Sequence, residues 1–318
     1  ITCRDWSSDV CSSDLLREGK RICLGITGGM DIRPLLAIYL EAKADIGTAH
    51  FGSNKTIDFQ LAHQIASSYH LPFHYLSYKD AGYSWENILQ YLESRGIGFN
   101  PISMDFIGYY SILAQDYDVL VDGYFGELFR FRFFVAHLKT ALDPTELNYR
   151  HLGRYLYHDP SSFFCPEARR QIHKGFWNEL RFQTSLMPPS QEMINPLWMN
   201  LFLVRSFPGS ISMPNLSSLD TTLINHMPYL QSSLISEHWR YGFLRQLNEG
   251  LHRKIIRNCF PDLENHKLAI FDVSAPYNTH QYVLKLKTWA YHTKVPVQRN
   301  DRAHALLNDF KQQILELR

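Results

Sequence analysis

The chain has 318 residues, 45% hydrophobic and 20% charged, which excludes a disordered or low-complexity protein and leaves room for two domains with buried cores. Lys+Arg 32 against Asp+Glu 31 gives a formal charge of +1, so no broad electrostatic pull toward nucleic acid or an anionic membrane is expected. The best apolar run, Leu197 to Val204, is short of the roughly 20 residues a membrane span needs and contains Asn200.

In chain order, the first stretch to weigh is Arg4 to Leu15, whose doubled Ser-Ser-Asp reads as translated sequencing adapter. Residues 1–17 are therefore set aside as a non-native leader, and the chain is expected to lack its natural N-terminus. Two of the five cysteines, Cys3 and Cys11, lie there. Cys23, Cys165 and Cys259 are far apart with no Cys-x-x-Cys pair, which suits isolated thiols in a reducing cytoplasm and argues against a zinc site.

From Arg21 to about Asp122, short apolar runs alternate with amphipathic ones. Arg21 to Thr27 reads as strand and Ile32 to Lys43 as helix, with Pro34 in the first turn, where proline is tolerated. Ile46 to Phe51 is a second strand, Thr56 to Tyr69 a helix and Phe73 to Tyr78 a third strand. Trp85 to Ser94 and Asp105 to Gln115 read as helices, and Tyr117 to Val121 as a buried strand. Such alternation predicts a parallel sheet with right-handed crossovers, and ligands at the carboxyl ends of its strands. Beyond about Phe134 helical patterns dominate: Glu167 to Thr184, Leu197 to Phe207, Leu219 to Asn225, Leu234 to Asn258 and His304 to Leu317. The expected organisation is an α/β nucleotide-binding domain over 18–134, a doubly wound parallel sheet, followed by a mainly helical region over 135–318.

The segment with most chemical content is Ile22-Cys23-Leu24-Gly25-Ile26-Thr27-Gly28-Gly29-Met30-Asp31-Ile32-Arg33-Pro34, a strand entering a hydroxyl-Gly-Gly-x-Asp turn and then a helix. Adjacent glycines let the backbone approach an anion, and the first N–H groups of the helix point at it. Three further segments follow: Phe51-Gly52-Ser53 with Asp58 opening the next helix, Val119 to Arg130 with its Asp122-Gly123 turn, and Met227-Pro228-Tyr229-Leu230 followed by Gly250 to Arg257 and Pro261-Asp262-Leu263. No Gly-x-Gly-x-x-Gly follows the first strand and no Gly-Lys-Ser/Thr follows the loop, which disfavours a dinucleotide fold and a Walker site.

These segments resemble, over about Arg21 to Leu263, the synthetase domain of asparagine-synthetase-like proteins in the ATP-pyrophosphatase (PP-loop) superfamily, whose loop is usually Ser-Gly-Gly-x-Asp-Ser. Thr27 stands for the first Ser, Gly28, Gly29 and Asp31 match, and Ile32 replaces the second hydroxyl. The family's Asp-Glu pair appears as Gly126-Glu127. The resemblance implies an adenine nucleotide alpha hydrolase-like (HUP) fold and an ATP-dependent amide-forming ligase, in which a carboxylate is activated as acyl-adenylate, pyrophosphate leaves, and ammonia or an amine attacks. A glutaminase domain with an N-terminal Cys nucleophile, absent from this sequence, would supply the ammonia in glutamine-dependent relatives.

By the same resemblance, Ile26, Thr27, Gly28, Gly29, Asp31, Arg33, His50, Phe51, Gly52, Asp122 and Gly123 are the candidates for holding ATP, and Asp31 and Glu127 for holding Mg²⁺. A helix-start acid is the plain alternative for Asp31, an Arg-paired acid for Glu127 and a satisfied structural side chain for His50. Either Lys254 or Lys267 is expected to assist at the leaving pyrophosphate, with a solvated lysine as the default for both. The partners implied are a small-molecule or peptide carboxylate and an amine donor, with no nucleic acid and no membrane. The other reading of the whole chain is a degenerate synthetase-like module that binds nucleotide or serves as a scaffold.

Overall fold

Ile22, Cys23 and Leu24 offer no polar side chain to water on either side, the pattern of a strand covered on both faces. The computed structural model of the chain describes residues 12–77, 105–130, 148–157, 164–192, 195–207, 222–240, 249–270 and 273–279, and in it these three form the centre of the core. Strand β1 (Ile22–Gly25) lies between β2 (Ile46–Phe51) and β4 (Val119–Val121). With β3 (Phe73–Leu76) beside β2 and β5 (Ile224–His226) beside β4, the sheet runs β3-β2-β1-β4-β5 with every pair parallel.

Side chains alternate across β1. Ile22 and Leu24 join Leu36 and Ile65 in one cluster, whereas Cys23 joins Ala49, Tyr109, Tyr110 and Leu120 in the other. The first face is covered by α2 (Arg33–Glu41) and α3 (Ile57–Ser68), the second by α4 (Asp105–Leu113). This is the doubly wound α/β sheet expected. Burying each Leu or Ile in it contributes roughly 1.5–3 kcal/mol. Helix α3 begins where predicted, because the Thr56 hydroxyl accepts the Phe59 N–H at 3.1 Å as an N-cap. Upstream, α1 (Ser12–Arg17) lies within the stretch set aside as leader, with Leu15 and Leu16 half-buried against the core.

The later region is mainly helical: α5 (Tyr149–Leu156), α6 (Pro166–Ser185), α7 (Asn195–Phe207), α8 (Ser232–Arg240) and α9 (Gly250–Cys259). Three expectations are corrected. The helix expected over Leu219 to Asn225 does not extend through 224–225, where the chain is β5. The helix expected over Leu234 to Asn258 is not continuous, since Glu249 adopts a left-handed conformation with φ 61° immediately before α9. And residues Leu268–Ile270 (β6) and Val273–Ala275 (β7) form an antiparallel pair that the helical reading missed. The helices expected over Trp85 to Ser94 and His304 to Leu317 lie outside the described residues. Among the described residues no helix is long and apolar enough to cross a membrane. Cys23 and Cys165 are free thiols, but Cys259 is half of a disulfide, so the expectation of isolated thiols is corrected for that residue.

Strand β5 is held to the sheet's second face by a side chain. Buried Asn225 donates from Nδ2 to the Tyr110 hydroxyl on α4 at 2.6 Å. Replacing it by Ala leaves that hydroxyl short of a buried donor, so Asn225→Ala is expected to lower stability by about 1–3 kcal/mol in urea titration, with the m-value unchanged.

Candidate functional site

The crossover direction reverses at β1, which is followed by α2 on one face while β4, its other neighbour, is reached from α4 on the opposite face. In open α/β sheets ligands bind at the carboxyl edge beside such a reversal, which here lies at the turns after β1 and β4. The first turn runs from Ile26, whose N–H donates to Ala49 O at 2.7 Å, to Ile32 at the start of α2. No side chain caps α2 and no acid lies in its first turn, so nothing carried by the helix itself offsets the positive end of its dipole. Thr27 is exposed, while Gly29 and Asp31 are half-buried.

The turn is held from within. Gly28 N–H donates to Asp58 Oδ1 on α3 at 2.8 Å, and Gly28 O accepts both Ala269 N–H on β6 at 2.9 Å and Arg33 Nη2 at 3.1 Å. A Cβ at Gly28 would lie 2.9 Å from the Ala269 Cβ and 3.0 Å from the Leu61 Cβ, so packing alone demands glycine there. Gly28's amide is thus occupied by Asp58. Gly29 N–H donates at 3.2 Å to Thr27 Oγ1, on the exposed side of the turn.

Arg33, expected to meet a ligand, has its side chain turned inward. It is fully buried, donating from Nη1 to His266 O at 2.9 Å and from Nη2 to Gly28 O and Lys267 O. Burial lowers its pKa to about 10, which leaves it charged at neutral pH. A charged residue in a first helical turn normally reads as solvent-facing, so only the fold reveals this inward direction. His50 is buried, its Nδ1 lies 2.9 Å from Ile26 O and its ring meets Phe59 edge-on. Because a carbonyl only accepts, Nδ1 carries the proton. Phe51 is half-buried against Tyr109, and Gly52 N–H donates to Leu76 O at the end of β3. Lys267 is exposed and meets the site through its carbonyl, and Lys254 is half-buried on α9.

Asp31 is where the two turns meet. Its backbone oxygen accepts the Tyr229 hydroxyl at 2.6 Å, and its Oδ1 lies 3.6 Å from Nε2 of fully buried His252 on α9. The Tyr229 and His252 rings stack at 5.3 Å and 17°. Sequence reading placed both residues in family-like segments without giving either a role. From the turn after β4, a Cβ at Gly123 would lie 3.1 Å from Asp31 C and one at Gly126 2.8 Å from Asp31 Cβ and Oδ1. Glu127 follows directly, half-buried. Asp122 accepts Tyr124 N–H at 3.0 Å, and its carboxyl is pushed up to about 6, chiefly by burial and in part by the Glu127 charge.

Among the described residues no group of three or more His, Cys, Asp and Glu side chains is gathered as a metal cage. Mg²⁺ does not require one, since it keeps several waters and takes one or two carboxylates plus substrate phosphates. Asp31, beside the Gly126-Glu127 step, supplies the hard oxygen donors such an ion prefers. Cys23, the cysteine nearest the turn in sequence, is fully buried and its thiol pKa is raised by that burial, so it stays protonated and unreactive.

No protein-family model matches this chain, and no curated protein matches it. Among solved structures it is similar to a U34-tRNA thiolase, NcsA from Methanococcus maripaludis with its 4Fe–4S cluster, at 14% identity and a TM-score of 0.25, over 64% of this chain and 84% of that one. A likeness of that size carries no weight for the site, which rests on the geometry above.

Two outcomes test this geometry. Gly126→Ala must displace Asp31 or its own turn and is expected to cost about 1–3 kcal/mol in chemical denaturation, whereas Gly175→Ala on α6, with nothing within 4 Å of the new methyl group, is expected to add up to about 1 kcal/mol. For Asp122, a folded-state pKa above its ordinary value means that the native state binds the extra proton. Its contribution to stability is then present at low pH and lost as pH rises from about 4 through about 6. Asp122→Asn, which keeps an oxygen for the Tyr124 N–H, should therefore raise the urea midpoint more at pH 7.5 than at pH 4.

Proposed function

We propose that this chain is an ATP-using ligase that activates a carboxylate as its acyl-adenylate, releases pyrophosphate, and forms an amide with ammonia or an amine. The observation that carries the reading is the position of the Thr27–Ile32 turn. It leaves the central strand of a β3-β2-β1-β4-β5 parallel sheet at the switch point and enters a helix start that no side chain caps.

In this reaction a carboxylate oxygen attacks the α-phosphorus of ATP, the bond to the bridging oxygen breaks, and pyrophosphate departs with the electron pair. The amine nitrogen then attacks the acyl carbon, AMP leaves, and the nitrogen loses a proton. Neither step needs a nucleophilic side chain. Both need oriented donors around the departing charge, and the turn and the first N–H groups of α2 serve that purpose. Mg²⁺, held by Asp31 and Glu127, would neutralise charge on the phosphates. Gly28, Asp58 and Ala269 keep the turn in shape. Asp31 is itself held through its carbonyl by Tyr229.

A second reading, a synthetase-like module that binds nucleotide without turning it over, is favoured by Ile32. Its side chain is buried at the helix start, where the resembling family carries a hydroxyl. Pyrophosphate release separates the two: a ligase releases it from Mg·ATP when a carboxylate and an amine are present, and a binding module releases none. Under either reading, Asp31→Ala is expected to reduce Mg·ATP affinity at least tenfold by calorimetry while the far-ultraviolet spectrum is kept. An unchanged titration would refute the metal assignment.

A further inference from the structure

A trans peptide unit is planar, with its C=O and N–H on opposite sides. The Gly28–Gly29 unit has its oxygen turned inward and doubly occupied, by the Ala269 N–H and by the Arg33 guanidinium. Gly29 N–H is therefore turned the other way, toward the exposed Thr27 side, where its acceptor is a hydroxyl at a long 3.2 Å. That contact is weak enough to be exchanged for a charged oxygen.

Arg33 is built for this position. Each partner of its fork among the described residues is a carbonyl oxygen, belonging to Gly28, His266 and Lys267. Asp58 and Glu249 act on it only as more distant charges. The guanidinium thus fixes the loop to the segment leading into β6 and keeps a positive charge directly beneath the turn, in surroundings where water screens it little. Arg253 on α9 holds the stretch that follows β7, donating to the Tyr277 and Thr279 carbonyls at 2.7 and 3.3 Å.

We infer that Arg33 is a positioning residue of the phosphate loop: from below the turn it locks the Gly28–Gly29 peptide with its N–H outward, where it meets an oxygen of the nucleotide's departing pyrophosphate. The inference rests on the nucleotide reading above and assigns this buried side chain a part in it. Arg33 touches no ligand. It acts through Gly29.

The test titrates the full chain with Mg·ATP and with inorganic pyrophosphate by calorimetry, while following the Gly29 amide by ¹⁵N NMR. In the unaltered protein both ligands should bind and pyrophosphate should shift the Gly29 resonance. Arg33→Met, similar in bulk but without donors or charge, should weaken both ligands at least tenfold and abolish the Gly29 shift. Ile65→Val, a core change on α3 away from the turn, should lower the melting temperature and leave both affinities within twofold, which separates positioning from general stability. If Arg33→Met does not fold, Arg33→Lys decides. Lysine keeps a cation but cannot span three carbonyls in a fixed fork, so at least tenfold weaker binding supports the inference and unchanged binding overturns it. Binding by a folded Arg33→Met equal to that of the unaltered protein overturns the inference and leaves the nucleotide reading standing. No binding of either ligand by the unaltered protein overturns both.

Discussion

The carboxyl edge of the sheet depends on one carbonyl oxygen. Gly28 O accepts a donor five residues ahead of it, from Arg33, and another from Ala269, far along the chain. A carbonyl has two lone pairs, and here both are used inside the protein. The consequence is geometric before it is energetic: with the oxygen fixed, the rest of the turn has one way to face. The sheet supplies the position of the turn and the β6–β7 pair supplies its orientation, so a late part of the chain completes a site whose motif lies near the start.

Close approach is the second constraint. The turns after β1 and β4 come together so tightly that no side chain fits at Gly126 without meeting Asp31. The Gly126-Glu127 step is thus best understood with Asp31 as one unit, with His252 and Tyr229 setting the far wall. Fully buried His252 beside Asp31 gives that wall a polar atom in an otherwise aromatic surface.

What was legible in the sequence follows the physics of burial. Strands β1, β2 and β4 were readable because they are covered on both faces and mostly apolar, β3 by its aromatic residues although only Leu76 is buried, α3 because Leu61, Ala62, Ile65 and Ala66 recur at helical spacing, and α2 by its apolar run after Pro34. The Thr27 to Asp31 turn was readable because few local structures call for two adjacent glycines after a buried strand. β5, β6 and β7 have three residues each, too few for an alternation to register, and Asn225 and His226 in β5 argue against a strand on composition. The inward direction of Arg33 was not legible for a different reason. Its partners are main-chain carbonyls, which have no signature in sequence.

That distinction decides where function-bearing geometry hides in this protein. Of the groups identified by type, Thr27 is exposed, Gly29, Asp31 and Glu127 are half-buried, and Gly28 is buried in the turn. The groups that give them direction, Arg33, Ala269, Asp58 and Tyr229, bond to backbone atoms or, for Asp58 and Ala269, meet the turn from neighbouring elements. A buried guanidinium bonded to three carbonyls is costly to desolvate, and its fork leaves Nε–H without an acceptor among the described residues. An apolar residue of similar volume would fill the space at less cost in solvation, but it would leave Gly28 O with one donor instead of two and remove the charge beneath the turn. What Arg33 contributes is thus better sought in the fixed orientation of the Gly28–Gly29 peptide than in stability.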